Sequence, residues 1–358
     1  MQPPVRMAVL VTGGAGFIGS HMVARLRDAG RSVVVVDDLS SGHRSAVPAD
    51  VPQIVANVAD SDVLATVLER HRVDAIIHFA ARIQVGESVQ NPRLYWNGNV
   101  AATTRLLETA LDAGVRAFIL SSTAAVYGVP ARVPILESDE TRPINPYGET
   151  KLAIEQMLAS YSRAYGLRFA ALRYFNAAGA DTTRGLGERH EPETHLIPLV
   201  LDVALGLRTA ITVFGQDYPT PDGTCVRDYI HVVDLADAHL AALEYLERGG
   251  ESGAFNLGTG VGHSVGEVIA ACRTVTGCEI PAELGPRREG DPASLVASPR
   301  LAEERFGWRA TRSSLANIVA DAWEARRSTG SRSPMAPVSS PTTSATTRRA
   351  DEENVDVR

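Results

Sequence analysis

Met7-Ala8-Val9-Leu10-Val11-Thr12-Gly13-Gly14-Ala15-Gly16-Phe17-Ile18-Gly19 is the stretch on which the architecture of this chain turns. A short apolar run breaks into glycines and resumes with apolar residues at helical spacing, Met22, Val23 and Leu26. The order is strand, glycine turn, helix. Glycines permit a tight turn and a close backbone approach, and the helix N-terminus offers free N–H groups and a positive dipole end to a pyrophosphate. Alone, such a loop is a weak signal. Here the next strand, Ser32 to Val36, ends in Asp37 and Asp38, with Asp37 18 positions past Gly19. A carboxylate at that distance accepts from a ribose 2′-hydroxyl and repels a 2′-phosphate, so NAD is expected over NADP. Arg44 nearby is the one contrary sign.

A second stretch, Asn145-Pro146-Tyr147-Gly148-Glu149-Thr150-Lys151, carries chemistry. Pro146 suits a first helical position, and the apolar residues Leu152, Ile154, Met157 and Leu158 continue the helix. Tyr147 and Lys151 then share a face one turn apart. A free phenol titrates near pH ~10, and a fixed ammonium within a few ångströms favours the phenolate, the form a general base requires. Tyr and Lys at this spacing often merely decorate a helix; the glycine loop at the other end of the chain gives the pair its meaning.

The 358 residues are 44% hydrophobic and 22% charged, enough to bury a sizeable core in one extended or two interlocked domains. A net charge of −7 with a pI near 5.8 argues against nucleic-acid binding. No apolar run approaches the ~18 residues of a membrane span, and the residues before Met7, where the structured chain is expected to begin, lack a signal-peptide core. Cys225, Cys272 and Cys278 are too few and too scattered for a disulfide framework or a metal site, so no metal is expected and the cytoplasm is the default compartment.

Between the two motifs, strands alternate with helices: Gln53 to Ala56, a helix from Asp62 to Arg70, Asp74 to Ala80, helix from Glu87 to Gly114 broken near Pro92, then Ala117 to Leu120. That rhythm predicts right-handed crossovers and a parallel sheet. Phe79, Ala80 and Ala81 fall where the chain passes the cofactor. Asn99 is either a core amide satisfied by backbone or a cofactor contact. Ser121, Ser122 and Thr123 bring three hydroxyls to a strand end where ligands bind, or else cap the following turn.

After a helix from Tyr147 to Gly166, Arg168 to Arg173 is a sixth strand running into Tyr174-Phe175-Asn176. Gly185 to Leu196 is a Gly/Glu/His-rich loop before an apolar helix from Ile197 to Leu205, and Ile211 to Gly215 is a strand. Cys225 to Asp234 is expected to open a helix containing Leu235, Ala238 and Leu240; Asp228 and Asp234 read as structural. Phe255 to Gly258 rejoins the sheet, and Ser264 caps a helix to about Thr276. Arg287 to Pro292 is a charged turn, and from Ser328 to Arg358 the Ser/Thr/Pro composition predicts a disordered tail.

Taken in order, Thr12 to Gly19, His78 to Ala81 with Val85 to Ser88, Asn145 to Lys151, Arg173 to Asn176, Phe214-Gly215, Arg227 to His231 and Arg287 to Asp291 resemble the extended short-chain dehydrogenase/reductases that act on nucleotide sugars, and among these the UDP-glucose 4-epimerases, across residues 7 to 327. The resemblance implies an α/β fold: a doubly wound, parallel-sheet Rossmann domain over 1–175, rejoined by about 231–260, and a smaller interleaved substrate domain from 176–230 and 261–327. It implies tightly held NAD, a UDP-sugar substrate, Tyr147 as the base, Lys151 supporting its phenolate, and Thr123 on the sugar 4-hydroxyl. The cofactor set so implied is Gly13, Gly16, Phe17, Ile18, Gly19, Asp37, Asp38, Asn57, Val58, Phe79, Ala80, Ala81, Asn99, Ser121 and Tyr174, with Tyr147 and Lys151.

On the substrate side the resemblance assigns Leu196 and Phe214 to the substrate, Asn176, Arg227 and Arg288 to its diphosphate, Asp291 to a ribose, and Leu295 to the sugar 2-substituent. A guanidinium fork matches phosphate oxygens, which suits Arg227. A homodimer is implied through the helices from Pro92 to Gly114 and from Tyr147 to Gly166. The chain departs from the pattern at Asn57-Val58, where Asp-Ile or Asp-Leu is common, at Arg82-Ile83-Gln84, where a lysine is common, and at Leu295, where a bulky tyrosine confines some members to glucose and galactose. Leucine there is expected to widen the pocket toward N-acetyl sugars.

Rival readings are a 4,6-dehydratase, a 4-epimerase of UDP-glucuronate or UDP-pentoses, and a non-catalytic dinucleotide-binding protein. The first needs an acid and a base beside Thr123, where Ala124 and Ala125 stand; the last would have lost Tyr147, Lys151 or Thr123.

Overall fold

The β-branched runs of the N-terminal half form strands covered on both faces, which is why they read as continuous apolar stretches and not as alternating ones. In the computed structural model, which describes residues 8–288 and 291–330, the order is β1 (Ala8–Thr12), α1 (Phe17–Asp28), β2 (Val33–Asp37), β3 (Gln53–Val55), α2 (Ser61–His71), β4 (Val73–His78), α3 (Val85–Gln90), α4 (Pro92–Tyr95), α5 (Ala102–Asp112), β5 (Ala117–Thr123), α6 (Pro146–Tyr165) and β6 (Arg168–Tyr174). The second half supplies β7 (Asn176–Ala178), α7 (Leu196–Ala204), β8 (Ile211–Phe214), β9 (Val226–His231), α8 (Val232–Glu247), β10 (Gly253–Leu257), β11 (Gly262–Ser264), α9 (Val265–Thr276), β12 (Ala282–Gly285), β13 (Ser294–Leu295), α10 (Arg300–Phe306) and α11 (Leu315–Gly330).

Seven parallel strands form one sheet in the order β10-β6-β5-β4-β1-β2-β3. Successive residues point to opposite faces. Val9, Val11, Val35, Ile77 and Ile119 pack with Met22 and Leu26 of α1 and Leu235 and Leu243 of α8; Leu10, Val34, Ile76, Phe118 and Leu120 pack with Leu64 of α2, Leu106 of α5 and Ile154 of α6. This is a doubly wound α/β sheet. From β1 the chain builds outward to β2 and β3, then crosses to β4 and builds the other way, so a crevice opens at the carboxyl ends of β1 and β4.

The chain leaves this sheet after Tyr174. In a second sheet β9 pairs with β7, β11 and β13, while β8 pairs with β12. Val200 of α7, Ile269 of α9 and Ile318 of α11 close a separate core against Val213 and Tyr229. The buried carboxylates expected to be structural tie the parts together. Asp228 accepts from the backbone of Thr259, Gly260 and Ala297, and Asp234 from the backbone of Thr311 and Arg312 and the Ser313 hydroxyl.

Helix ends follow sequence chemistry. Asn145 Oδ1 accepts from Gly148 N at 2.9 Å and Pro146 opens α6, while Ser264 and Glu267 form a reciprocal cap on α9. One expectation fails: the run from Val226 to His231 is the strand β9, and its helix begins only at Val232, with His231 Nδ1 accepting from Val233 N. Tyr229 and Ile230 suit a pleated surface, and strand partners on both edges override the helical spacing. Ser328 lies within α11, so ordered helix continues past the expected start of the tail. The seven residues through Met7, Glu289-Gly290 of the charged turn and the tail from residue 331 lie outside the described residues.

Candidate active site at the carboxyl ends of the strands

A cavity of about 720 Å³ occupies the crevice. Its floor is the glycine loop, with Gly13, Gly16, Phe17, Ile18 and Gly19 on the wall. Gly13 has φ +71, and a Cβ there would lie 2.6 Å from Ala80 N; a Cβ on Gly19 would lie 2.1 Å from Gly13 O. No side chain larger than hydrogen fits at either position, and α1 begins with no side-chain cap, leaving its first N–H groups to a ligand. Phe79, Ala80 and Ala81 pass directly above, held by Phe79 N on Thr12 O at 2.9 Å. These features fit a dinucleotide pyrophosphate.

Asp37 and Asp38 both line the cavity, in different ways. Asp37 is buried and already accepts from Ala15 N at 2.9 Å and Leu39 N at 2.8 Å, so it braces the glycine loop; burial raises its pKa against those two bonds. Asp38 is exposed and has the freer carboxylate. Asn57 spends its oxygen on Ala59 N, leaving its amide hydrogens toward the cavity, with Val58 beside it.

Asn99 is a correction. It is 1% exposed, accepts from Arg82 N, and donates to Arg82 O and Thr150 Oγ1. It is the core amide satisfied by its surroundings, fixing the segment after β4, and it does not line the cavity.

The catalytic candidates meet at the end of β5. Ser121, Thr123, Tyr147 and Tyr174 line the cavity. Lys151 lies behind them, 1% exposed, donating from Nζ to Ser121 O at 2.8 Å. The Ser121 hydroxyl bonds the Tyr174 hydroxyl, and burial raises the Tyr174 phenol. Thr123 Oγ1 accepts from Ala125 N at 3.1 Å, capping the next turn, and also partners the Tyr147 phenol. The capping reading of that hydroxyl holds, and Thr123 also lines the cavity.

Desolvation raises the Tyr147 phenol, and the Thr123 hydrogen bond opposes it. The Lys151 ammonium is turned to the Ser121 carbonyl, and burial lowers its own pKa to about 8 against the pull of Glu155. Glu155 in turn accepts from Ser122 and from Arg173 Nε and Nη2, while Arg173 Nη1 donates to Tyr127 Oη at 2.9 Å. This buried network fixes β5 and β6 against α6.

On the substrate side, Asn176 and Leu196 line the cavity, whereas Phe214, Arg227, Arg288, Asp291 and Leu295 do not. Arg227 donates to Asp291 in an ion pair and to Val226 O, so the expected diphosphate and ribose contacts bind each other here. Arg288 lies with its guanidinium 4.2 Å from the Phe214 ring centroid. Leu295 packs with Val126, Tyr127 and Phe175. The second sheet connects them to the wall: Asn176 pairs with Tyr229, and Leu295 with Arg227.

The NAD dependent epimerase/dehydratase family model matches residues 9–258. The chain belongs to that family. It is 54% identical over 317 residues to a UDP-glucose 4-epimerase of Halalkalibacterium halodurans, covering 88% of this chain and 95% of the relative. Among solved structures, the Brucella ovis UDP-glucose 4-epimerase in complex with NAD superposes with a TM-score of 0.86 at 48% identity, over 88% of this chain and 97% of that one. The Bifidobacterium longum enzyme in complex with NAD+ and UDP does so with a TM-score of 0.85 at 38% identity, over 90% and 99%.

The glycine loop and Tyr147 line one cavity. Sequence reasoning missed other wall residues: Ser40, Ser41 and Gly42 after β2, Asn97 and Gly98 in a π-helical turn at Trp96–Ala101, and Glu188, His190 and His195 before α7. The last group was legible as a Glu/His-rich run but carried no assigned role.

Proposed function

We propose that this protein is a UDP-glucose 4-epimerase that works by transient oxidation at sugar C4 on tightly held NAD. The observation that carries it is the convergence of Tyr147, Thr123 and buried Lys151 with the glycine loop around one cavity. Tyr147 accepts the proton of the sugar 4-hydroxyl and later returns it; Thr123 orients that hydroxyl; Lys151 holds the Ser121 strand end and adds positive potential. Bound NAD takes hydride from C4 and returns it to the opposite face of the 4-keto sugar. Asn176 and Leu196, with Arg227, Arg288, Asp291 and Phe214 once the nucleotide separates the Arg227–Asp291 pair, hold the UDP end while the hexose turns over. Asp38 and Asn57 serve the adenosine half, and the division of labour follows the two sheets.

UDP-galactose incubated with the purified protein and no added cofactor is expected to yield UDP-glucose at equilibrium. No conversion even with NAD supplied overturns the assignment. Leu295 packs behind the wall with Val126, Tyr127 and Phe175 and takes less room there than a tyrosine, and on that ground UDP-N-acetylgalactosamine is also expected to turn over; failure on that substrate alone removes only the breadth.

The working form is a cytoplasmic homodimer. Val89, Trp96 and Tyr165 are exposed apolar side chains on the layer where α3, α4 and α6 pack together. Among the described residues no helix is long and apolar enough to cross a membrane.

A further inference from the structure

Four titratable side chains that the proton and hydride chemistry leaves idle converge beside the cavity, with His190 edge-on to Phe17 of the glycine loop. The segment leading into α7 brings one ligand atom each from Glu188, His190, Glu193 and His195 within 4.8 Å of one another. Nitrogen and oxygen ligands about 2.0–2.2 Å from a tetrahedral ion sit roughly 3.4 Å apart, so small side-chain rotations close this set onto an ion. The residue spacing explains the convergence. His195 is the residue before α7, Glu193 turns back to accept from the backbone of Thr194 and His195, and Glu188 Oε1 lies 3.1 Å from His190 Nδ1 and also meets His195.

A second observation points to a cation. The Glu193 side chain is 5% exposed, and its Oε2 is buried with no hydrogen-bond partner among the described residues. Arg326 turns Nη1 toward that oxygen at 3.7 Å and gives Nε and Nη2 to Asp202 at 2.8 Å each, while His190 Nδ1 lies 3.7 Å from Glu193 Oε1. A buried carboxylate oxygen held only by an ion pair beyond hydrogen-bond distance is incompletely satisfied. An ion coordinated by that oxygen satisfies it.

We propose that Glu188, His190, Glu193 and His195 form a binding site for a divalent metal ion of the zinc class. Two imidazoles with two carboxylates suit borderline ions such as Zn²⁺ or Co²⁺; a softer ion calls for thiolates, a harder one for an all-oxygen shell. Four protein ligands make a closed, structural site with no position for an activated water. Glu188, His190 and His195 also line the cavity beside Leu196 and Asn176, so the ion pins the loop from Gly185 to His195 to the first turn of α7 and shapes the wall that meets the sugar nucleotide.

The test uses the tag-free, NAD-loaded protein, stripped with a chelator, gel-filtered and titrated with Co²⁺ and then Zn²⁺. The expected result is one Co²⁺ retained per chain with the intense visible absorption of a tetrahedral site, displaced by Zn²⁺. His195→Ala and Glu193→Gln are expected to weaken retention by roughly tenfold or more, while His263→Ala, which alters a histidine elsewhere, leaves it intact. Each variant is checked by thermal melting, and Glu193→Gln, which keeps the side-chain shape, serves where His195→Ala does not fold. Failure to retain metal, or equal retention in folded His195→Ala and Glu193→Gln, overturns the proposal and leaves the cluster as an ion-paired network of protonated histidines.

Discussion

Lys151 is an ammonium held almost wholly out of water, and the cost is visible in its pKa, which burial lowers to about 8 from 10.5. The unfolded chain therefore binds this proton more tightly than the folded one. Stability rises with pH between about 8 and 10.5, and below 8 the penalty stands in full, about 3 kcal/mol at most. Lys151→Met is expected to be more stable than the parent at pH 7 by roughly 1 kcal/mol or more, with the gap shrinking by pH 10, while turnover falls by about a hundredfold or more. Urea unfolding at the two pH values checks the first part. A parent that loses stability relative to the variant as pH rises contradicts it. At Gly19, a methyl group meets Gly13 O at 2.1 Å. Gly19→Ala is expected to purify folded but without the absorbance of bound dinucleotide, and a fully loaded variant refutes the glycine-loop argument.

At the scale of elements, the α6–β5–β6 unit carries the site through a buried ion pair. Glu155 and Arg173 side chains are each 7% exposed, and the pair joins Ser122 on one side and Tyr127 on the other. Removing one partner strands a charge. Glu155→Ala is expected to cost about 3–5 kcal/mol, and adding Arg173→Met to recover a large part of it. Equal stability of the single and double variants in denaturant melts contradicts this. The same scale explains what sequence reveals. α1, α6 and α9 were legible because local chemistry marks their ends: the glycines, Asn145-Pro146 and the Ser264–Glu267 pair. β9 was not, because Val226 to His231 owes its extended form to partners distant in sequence, β7, β11 and β13.

For the whole molecule, the residues that one element fixes by itself were legible, and those placed by contacts between distant segments were not. A glycine loop and a strand-end hydroxyl are fixed by their own element, so Gly13, Gly19, Thr123 and Tyr147 lie where the motifs put them. Arg227 of β9 pairs with Asp291, and Phe214 at the end of β8 meets Arg288, contacts between segments distant in sequence that no local pattern reveals. Asn99 was ambiguous for the same reason, since an amide among apolar neighbours says nothing of which backbone it meets.

The central claim is that oxidation and reduction at C4 occur on one cofactor that never leaves. UDP-galactose deuterated at C4 tests this most directly, with the product read by mass spectrometry. The account predicts UDP-glucose that keeps its deuterium at C4, with no exchange into water or into added NAD. Loss of the label, with conversion intact, would contradict it.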